Sequence, residues 1–382
     1  MSVVLALGDP PRGMSSDDGR AAAIRALSVY QSAIEAMAPG IHMNVIDHVG
    51  APPALDGGDG LSTIRWIGSR WEDDYDPAAL AVTVTTYDAD SGRITDSDIV
   101  VNAERYSWSA ASDASSCRAA YDLQDVLTHE LGHAFGLAHD TSDPAATMFP
   151  TADACETSKR DLDDGDIDGL HYLYVDVGPA SSGCAVGGRS GDASGALWIV
   201  GLLVLLRRRA VGLSVLALAL AAAPAGATTL VKLSLEKVGG GAALVVQGTV
   251  RTVACARRAG RVYTDATVTV ASCLRGPCPT EVTVRQLGGE VDGVGTAVEG
   301  TAPFTAGDEV VVFLRPRADG AFAPVGMVQG VFRVERGPDK AVAALIRDLR
   351  GVGFAGEAPP AAVERLGPDE LRRALDTAAP SR

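Results

Sequence analysis

The chain has 382 residues, 47% of them hydrophobic and 21% charged, which is length for two domains, allows packed cores and excludes bulk disorder. Its net charge of −15 argues against a nucleic-acid binder that works by neutralising phosphates. The charge is uneven: residues 1–180 hold 30 acids against 10 bases, a net of −20, and the remainder carries +5, so two separate units are expected.

Val3–Leu7 reads as a first strand; its apolar run has no basic residue before it, unlike an export signal. Ser15-Ser16-Asp17 offers an N-cap for a helix over Gly19–Met37, which Pro39-Gly40 ends. Leu61–Ile67 and Leu80–Tyr87 read as strands, Asp88–Gly92 as a turn that uses Asp88 and Asp90, and Arg93–Asn102 as the return strand of a hairpin. Tyr121–Phe135 is predicted helical, with Leu123, Val126, Leu127, Leu131 and Ala134 at helical spacing, and Asp163–Tyr174 is a further helix.

His129-Glu130-Leu131-Gly132-His133 lies on the predicted Tyr121–Phe135 helix. Residues four apart share a helix face, so His129 and His133 can reach one metal ion, and Glu130 stands beside the first ligand. Gly136 breaks the helix and brings His139 back as a third ligand. Three imidazoles leave one tetrahedral position open to water, which is the arrangement of a catalytic zinc. Zinc lowers the pKa of water toward about 7, and Glu130 would act as general base. Asp125, one turn before His129, reads as a solvated helix residue more readily than as an outer partner of the metal site.

The full pattern His-Glu-x-x-His-x-x-Gly-x-x-His resembles the metzincin metallopeptidases. Met148, in Ala146-Thr147-Met148-Phe149-Pro150, fits the methionine turn that this family carries beneath its zinc. Leu80–Thr85, Gly92-Arg93-Ile94, Asp98–Asn102 and the Met148-x-Pro150 ending look like matrixins, whereas Asp140 after the third histidine looks like the reprolysin group. Agreement over Leu80–Tyr174 favours a bacterial matrixin-like enzyme. The resemblance implies an α+β (α/β) domain with a mixed, twisted sheet and an active-site helix, and one catalytic zinc on His129, His133 and His139. It further implies peptide-bond hydrolysis with Glu130 as base, with protein or peptide substrates. Asp98–Asn102 is then the expected edge for an extended substrate. No cysteine-switch pattern accompanies the motif, so the resemblance supplies no means of latency. The alternative is a noncatalytic, zinc-stabilised surface binding protein with a β-barrel interaction module.

Asp164, Asp166, Asp168 and Gly169 match the first half of a calcium loop, but the twelfth position is Val175, so structural calcium is not supported and the aspartates are expected to favour a helix N-terminus. Cys117 and Cys155 are the only cysteines in the acidic region before the linker and are expected to be bridged in an oxidising compartment.

Ala180–Ser194 is a Gly/Ser/Ala-rich linker. Gly183-Cys184, the apolar Ala196–Leu206 and Arg207–Arg209 resemble the tripartite sorting tails of myxobacterial surface proteins, with Cys184 as the processing cysteine. Arg207–Arg209 and Val211–Ala223 also match a secretory signal peptide, with a cleavage site before Thr228. Both apolar stretches are shorter than the roughly 20 residues a bilayer span needs. The expectation is two secreted proteins joined; the rival is a hairpin that meets the membrane or cell envelope through 196–223. Either places the flanking regions outside the cytoplasm, secreted or surface-anchored.

Thr228–Glu335 alternates Val and Thr in Ala243–Val250, Asp265–Val270 and Glu281–Gln286, with a further strand at Val310–Leu314. These strands predict a small barrel or sandwich, and Leu244–Val250, Tyr263–Val270, Leu274-Arg275-Gly276 and Gly307–Leu314 resemble netrin-like OB barrels. Lys340–Leu349 and Ala361–Thr377 read as helices parted by Ala358-Pro359-Pro360. The expected organisation is a peptidase domain at 1–178, linker and sorting tail at 179–209, signal-like segment at 210–227, second all-β barrel-like domain at 228–337, and a helical tail at 338–382.

Overall fold

Helix α1 (Ser16–Met37) starts where Ser15 can cap it: the Ser15 hydroxyl accepts from the Asp18 backbone N–H at 3.1 Å. It follows strand β1 (Ser2–Leu5) and leads to β2 (Asn44–Asp47), β3 (Ser62–Ile67), β4 (Ala79–Asp88) and β5 (Ile94–Asn102). β1 lies between β2 and β3, both parallel to it, and β3 pairs in parallel with β5. β4 turns back antiparallel to β5, which makes the sheet mixed. The computed structural model describes residues 2–7, 10–11, 14–39, 43–48, 59–71, 75–140, 143–144, 146–176, 227–258, 260–350, 352–355 and 363–378.

The short parallel pair β6 (Trp108–Ser109) and β7 (Tyr121–Asp122) delivers the chain to α2 (Leu123–Ala134). Asp122 caps α2, accepting from the Asp125 N–H at 2.9 Å. Leu123, Leu127 and Leu131 pack with Leu27, Tyr30 and Ile34 of α1 in one apolar core. Tyr30 stacks on Phe135 with centroids 5.0 Å apart and donates to the Thr128 carbonyl at 2.9 Å. β8 (Thr151–Ala152) and α3 (Asp164–His171) complete the first half. α3 begins at Asp163 with a capping box to Asp166, so these aspartates serve the helix start.

The second half begins with β9 (Ala227–Val231) and α4 (Leu235–Gly241), followed by the long hairpin β10 (Leu244–Arg258) and β11 (Arg261–Arg275). Next come β12 (Glu281–Leu287), the small hairpin β13 (Gly289–Val291) and β14 (Val294–Ala297), β15 (Glu309–Pro316) and β16 (Phe322–Pro324). β17 (Val331–Arg336), β18 (Val342–Asp348), β19 (Gly353–Ala355), β20 (Val363–Leu366) and α5 (Pro368–Thr377) finish the described chain. β10, β11, β12, β16 and β15 close into a ring because β15 also pairs with β10. Val246, Ala266, Val268, Val284, Val312 and Leu314 are buried together in its apolar core, the alternation that barrel closure requires. β17, β18 and β20 extend from β15.

Three features depart from expectation. Lys340–Leu349 contains strand β18 and not a helix, and Val363–Leu366 is a strand ahead of the shorter helix α5, so 338–382 is not a helical tail. The helix-forming run is overridden because β17 offers an unpaired edge: Leu345 lies opposite Val334 and shares a core with Phe332. The two halves, expected as separate units, form one compact body of 1–178 and 224–382. The reason is strand pairing: β9 and β14 both pair antiparallel with β4, and β19 runs parallel to β9 and β8. Finally, Asp98–Asn102 is no edge, since β5 is flanked by β3 and β4. The linker, Cys184 and the apolar stretches through Ala223 lie outside the described residues.

Candidate metal centre

α2 turns its histidines to one side because they are four residues apart. Gly136 then takes φ +94°, a left-handed value that side chains resist, and its N–H bonds to the His133 carbonyl. That reversal brings His139 back to the helix. The Nε2 atoms of His129 and His139 are 3.1 Å apart, and those of His133 and His129 3.0 Å. Three imidazole nitrogens at about 2.0–2.1 Å from a tetrahedral zinc would stand about 3.3 Å apart, so the spacing fits.

Each outer ring nitrogen is occupied elsewhere. His129 Nδ1 lies 2.7 Å from the Thr147 carbonyl, His133 Nδ1 2.8 Å from the Leu137 carbonyl, and His139 Nδ1 2.7 Å from the Glu299 carboxylate. Such contacts fix the tautomer and leave Nε2 to bind a metal. Burial pushes His129 and His133 well below the usual imidazole range, which keeps them in the neutral, ligating form.

Glu130 is fully buried. Its carboxylate accepts from the Thr83 hydroxyl of β4 at 2.6 Å and from the Thr229 hydroxyl of β9 at 3.0 Å. Burial pushes its carboxyl up to about 7, against the opposing pull of those two hydroxyls.

Met148 is buried against the backbone of α2, with its sulfur so close to Gly132 that a side chain there would collide with it. Asp166 holds this turn: its carboxylate accepts from Thr147 N–H at 3.0 Å and Met148 N–H at 3.3 Å. Asp166→Ala strands both donors in a buried site. Denaturant titration should show a loss of about 1–3 kcal/mol, and an unchanged midpoint would contradict the assignment.

Cys117 and Cys155 are joined by a disulfide with Cα atoms 5.5 Å apart, and a second bridge links Cys273 to Cys278. Asp125, read as solvated, is buried instead: it accepts from Lys159 N–H at 2.8 Å, and burial raises its carboxyl to about 8. It does not orient His129, whose outer nitrogen faces Thr147. Thr83, Thr229, Glu299 and Asp166 were not legible as site residues, because each arrives from a distant segment.

The family model for matrixins matches residues 70–175. Over 56 residues the chain is 48% identical to the neutrophil collagenase of Homo sapiens, covering 15% of this chain and 12% of that protein. Over 82 residues it is 40% identical to metalloendoproteinase 1 of Glycine max, covering 21% and 26%. Over 49 residues it is 47% identical to the matrilysin of Felis catus, covering 13% and 18%. The chain thus spans at most about a quarter of the length of these relatives. Residues 70–175 match the matrixin domain of the metzincin group, and the three-histidine cluster within them fits the catalytic zinc of that family.

Proposed function

We propose that the chain is a zinc-dependent endopeptidase acting outside the cytoplasm on protein or peptide substrates. The observation that carries this is the convergence of three Nε2 atoms, each outer nitrogen engaged elsewhere, beside a glutamate that stands outside that cluster. A zinc ion held by His129, His133 and His139 would supply Lewis-acid polarisation of a peptide carbonyl and acidify water. Glu130 would take the proton at its carboxylate and return it to the leaving amine. Thr83 keeps that carboxylate in place from β4. The buried Met148 turn and Asp166 support the floor of the site. An intact Glu130 favours this over a noncatalytic zinc-binding module.

The two disulfides suit an oxidising compartment in both halves. No helix among the described residues is long and apolar enough to cross a membrane. Anchoring through 196–223 and sorting at Cys184 remain proposals from sequence.

Native mass spectrometry of the full chain should show one zinc, absent in His133→Ala and removed by a chelator. Zinc-loaded chain with an accessible cleft should cut a peptide library. Zinc that persists in His133→Ala, or an accessible zinc-loaded cleft that cuts nothing, would refute the proposal.

A further inference from the structure

The peptidase site is covered by the chain itself. His133 and Glu130 are fully buried, His129 is 5% exposed and the side chain of His139 is 2% exposed. No extended peptide could reach Glu130 in this arrangement.

The cover comes from the second half. β9 runs antiparallel along β4, with Thr229 opposite Ala81 and Ala227 opposite Thr83. β14 continues along the same edge, from Ala297 opposite Thr85 to Val294 opposite Asp88. β4 therefore has no free ladder over 79–83 or 85–88. β19 lies between β9 and β8, so the sheet order β4-β9-β19-β8 spans from β4 to the segment after Met148. Gly353 of β19 lies against His139, where a Cβ would come within 3.2 Å of Nε2.

The contacts across this junction are both polar and apolar. Tyr87 of β4 donates to Glu290 at 2.7 Å, Gly326 N–H donates to buried Asp76 at 2.8 Å, and Arg315 donates to the Tyr75 carbonyl at 3.1 Å. Val82 and Val84 of β4 share one apolar core with Leu230 and Phe354. Gly295 of β14 meets the face of Tyr87 so closely that any Cβ would lie about 2.1 Å from the ring.

We propose that residues 227–382 are an inhibitory module whose strand β9 occupies the cleft in place of substrate and whose Thr229 hydroxyl engages the Glu130 carboxylate. Strand addition supplies the affinity, as it would for an extended peptide. Thr229 and Glu299 supply the fit to the site, one on Glu130 and the other on His139. This rests on reading the three-histidine site as a peptidase centre.

The test uses the full chain, zinc-loaded, in two engineered forms. Gly295→Leu/Thr229→Asp opens the cleft, since a side chain at 295 collides with Tyr87 and an acid at 229 faces Glu130. Asp88→Cys/Val294→Cys locks it, because these positions are paired across the two halves. Turnover of a quenched peptide should rise at least about tenfold in the opened form, because turnover scales with the fraction of molecules whose cleft is open. Amides of 79–88 should exchange faster in that form. The locked form should cross-link under mild oxidation and show background turnover. Equal turnover and exchange in wild-type and opened protein would overturn the proposal. So would absence of the 88–294 cross-link, or a cross-linked form that cuts as fast as the opened one; these outcomes decide even if the opened form folds poorly. Faster exchange in a folded, opened form without turnover would sink the peptidase reading and leave the covered cleft standing.

Discussion

Glu130→Ala, made in a chain opened by Gly295→Leu alone, is expected to keep its zinc and lose about 10²–10⁴-fold in kcat, the range for removing a general base. The metal should stay because Glu130 is not among the three converging ligands. The rate should fall because Glu299, which engages the outer nitrogen of His139, leaves with the second half and cannot replace Glu130. Metal analysis and peptide turnover on one sample separate the two effects. Full turnover in the variant would remove Glu130 from the mechanism, whereas loss of zinc would make it a ligand.

The second large effect is on stability. Cys117→Ser/Cys155→Ser opens a bridge that closes 38 residues of chain, for which loop entropy gives about 4 kcal/mol. The bridge ties the segment before α2 to the segment after β8, where Cys155 N–H also donates to the Ala120 carbonyl at 2.8 Å. Both ends of the metal helix's surroundings are thereby tied together. The denaturation midpoint of the double variant, compared with the oxidised parent, checks this. A shift equivalent to less than about 1 kcal/mol would show that native packing at Ala120 holds the loop unaided. Reducing agent should bring the parent toward the variant.

These two predictions draw on different parts of the chain's legibility. Glu130 and its histidines could be found in the sequence because a helix converts spacing into direction. His129 and His133 share a face by period alone, and Gly136 announces the turn to His139. Met148 could be placed by its distance from that motif. Asp166 could not, since a capping aspartate looks the same whether or not its carboxylate also reaches a second loop, and here it reaches Thr147 and Met148.

Strand pairing is where local reading stopped. Arg93–Asn102 reads as a strand, yet only the sheet order shows that β5 is interior and that β4, the last strand the first half adds beside it, takes β9 and β14 as partners. Which partner a strand takes depends on segments hundreds of residues away, and alternation reports a buried face without naming the neighbour. The same holds for 340–349, whose Ala- and Leu-rich run has helical propensity but forms β18 because β17 needs a partner.

By itself, then, the sequence determined what is encoded within a few turns or one hairpin: the capped helices, the hairpin of β4 and β5, the valine–threonine strands of the barrel, and the metal-binding constellation. Tertiary structure alone decided that β9, β14 and β19 complete the sheet of the first half, that Thr229 and Glu299 reach Glu130 and His139, and that the two halves share one apolar core. The physical reason is that an edge strand's backbone donors and acceptors accept any well-shaped strand. The choice among candidates is made by long-range burial, to which no local pattern of residues is sensitive.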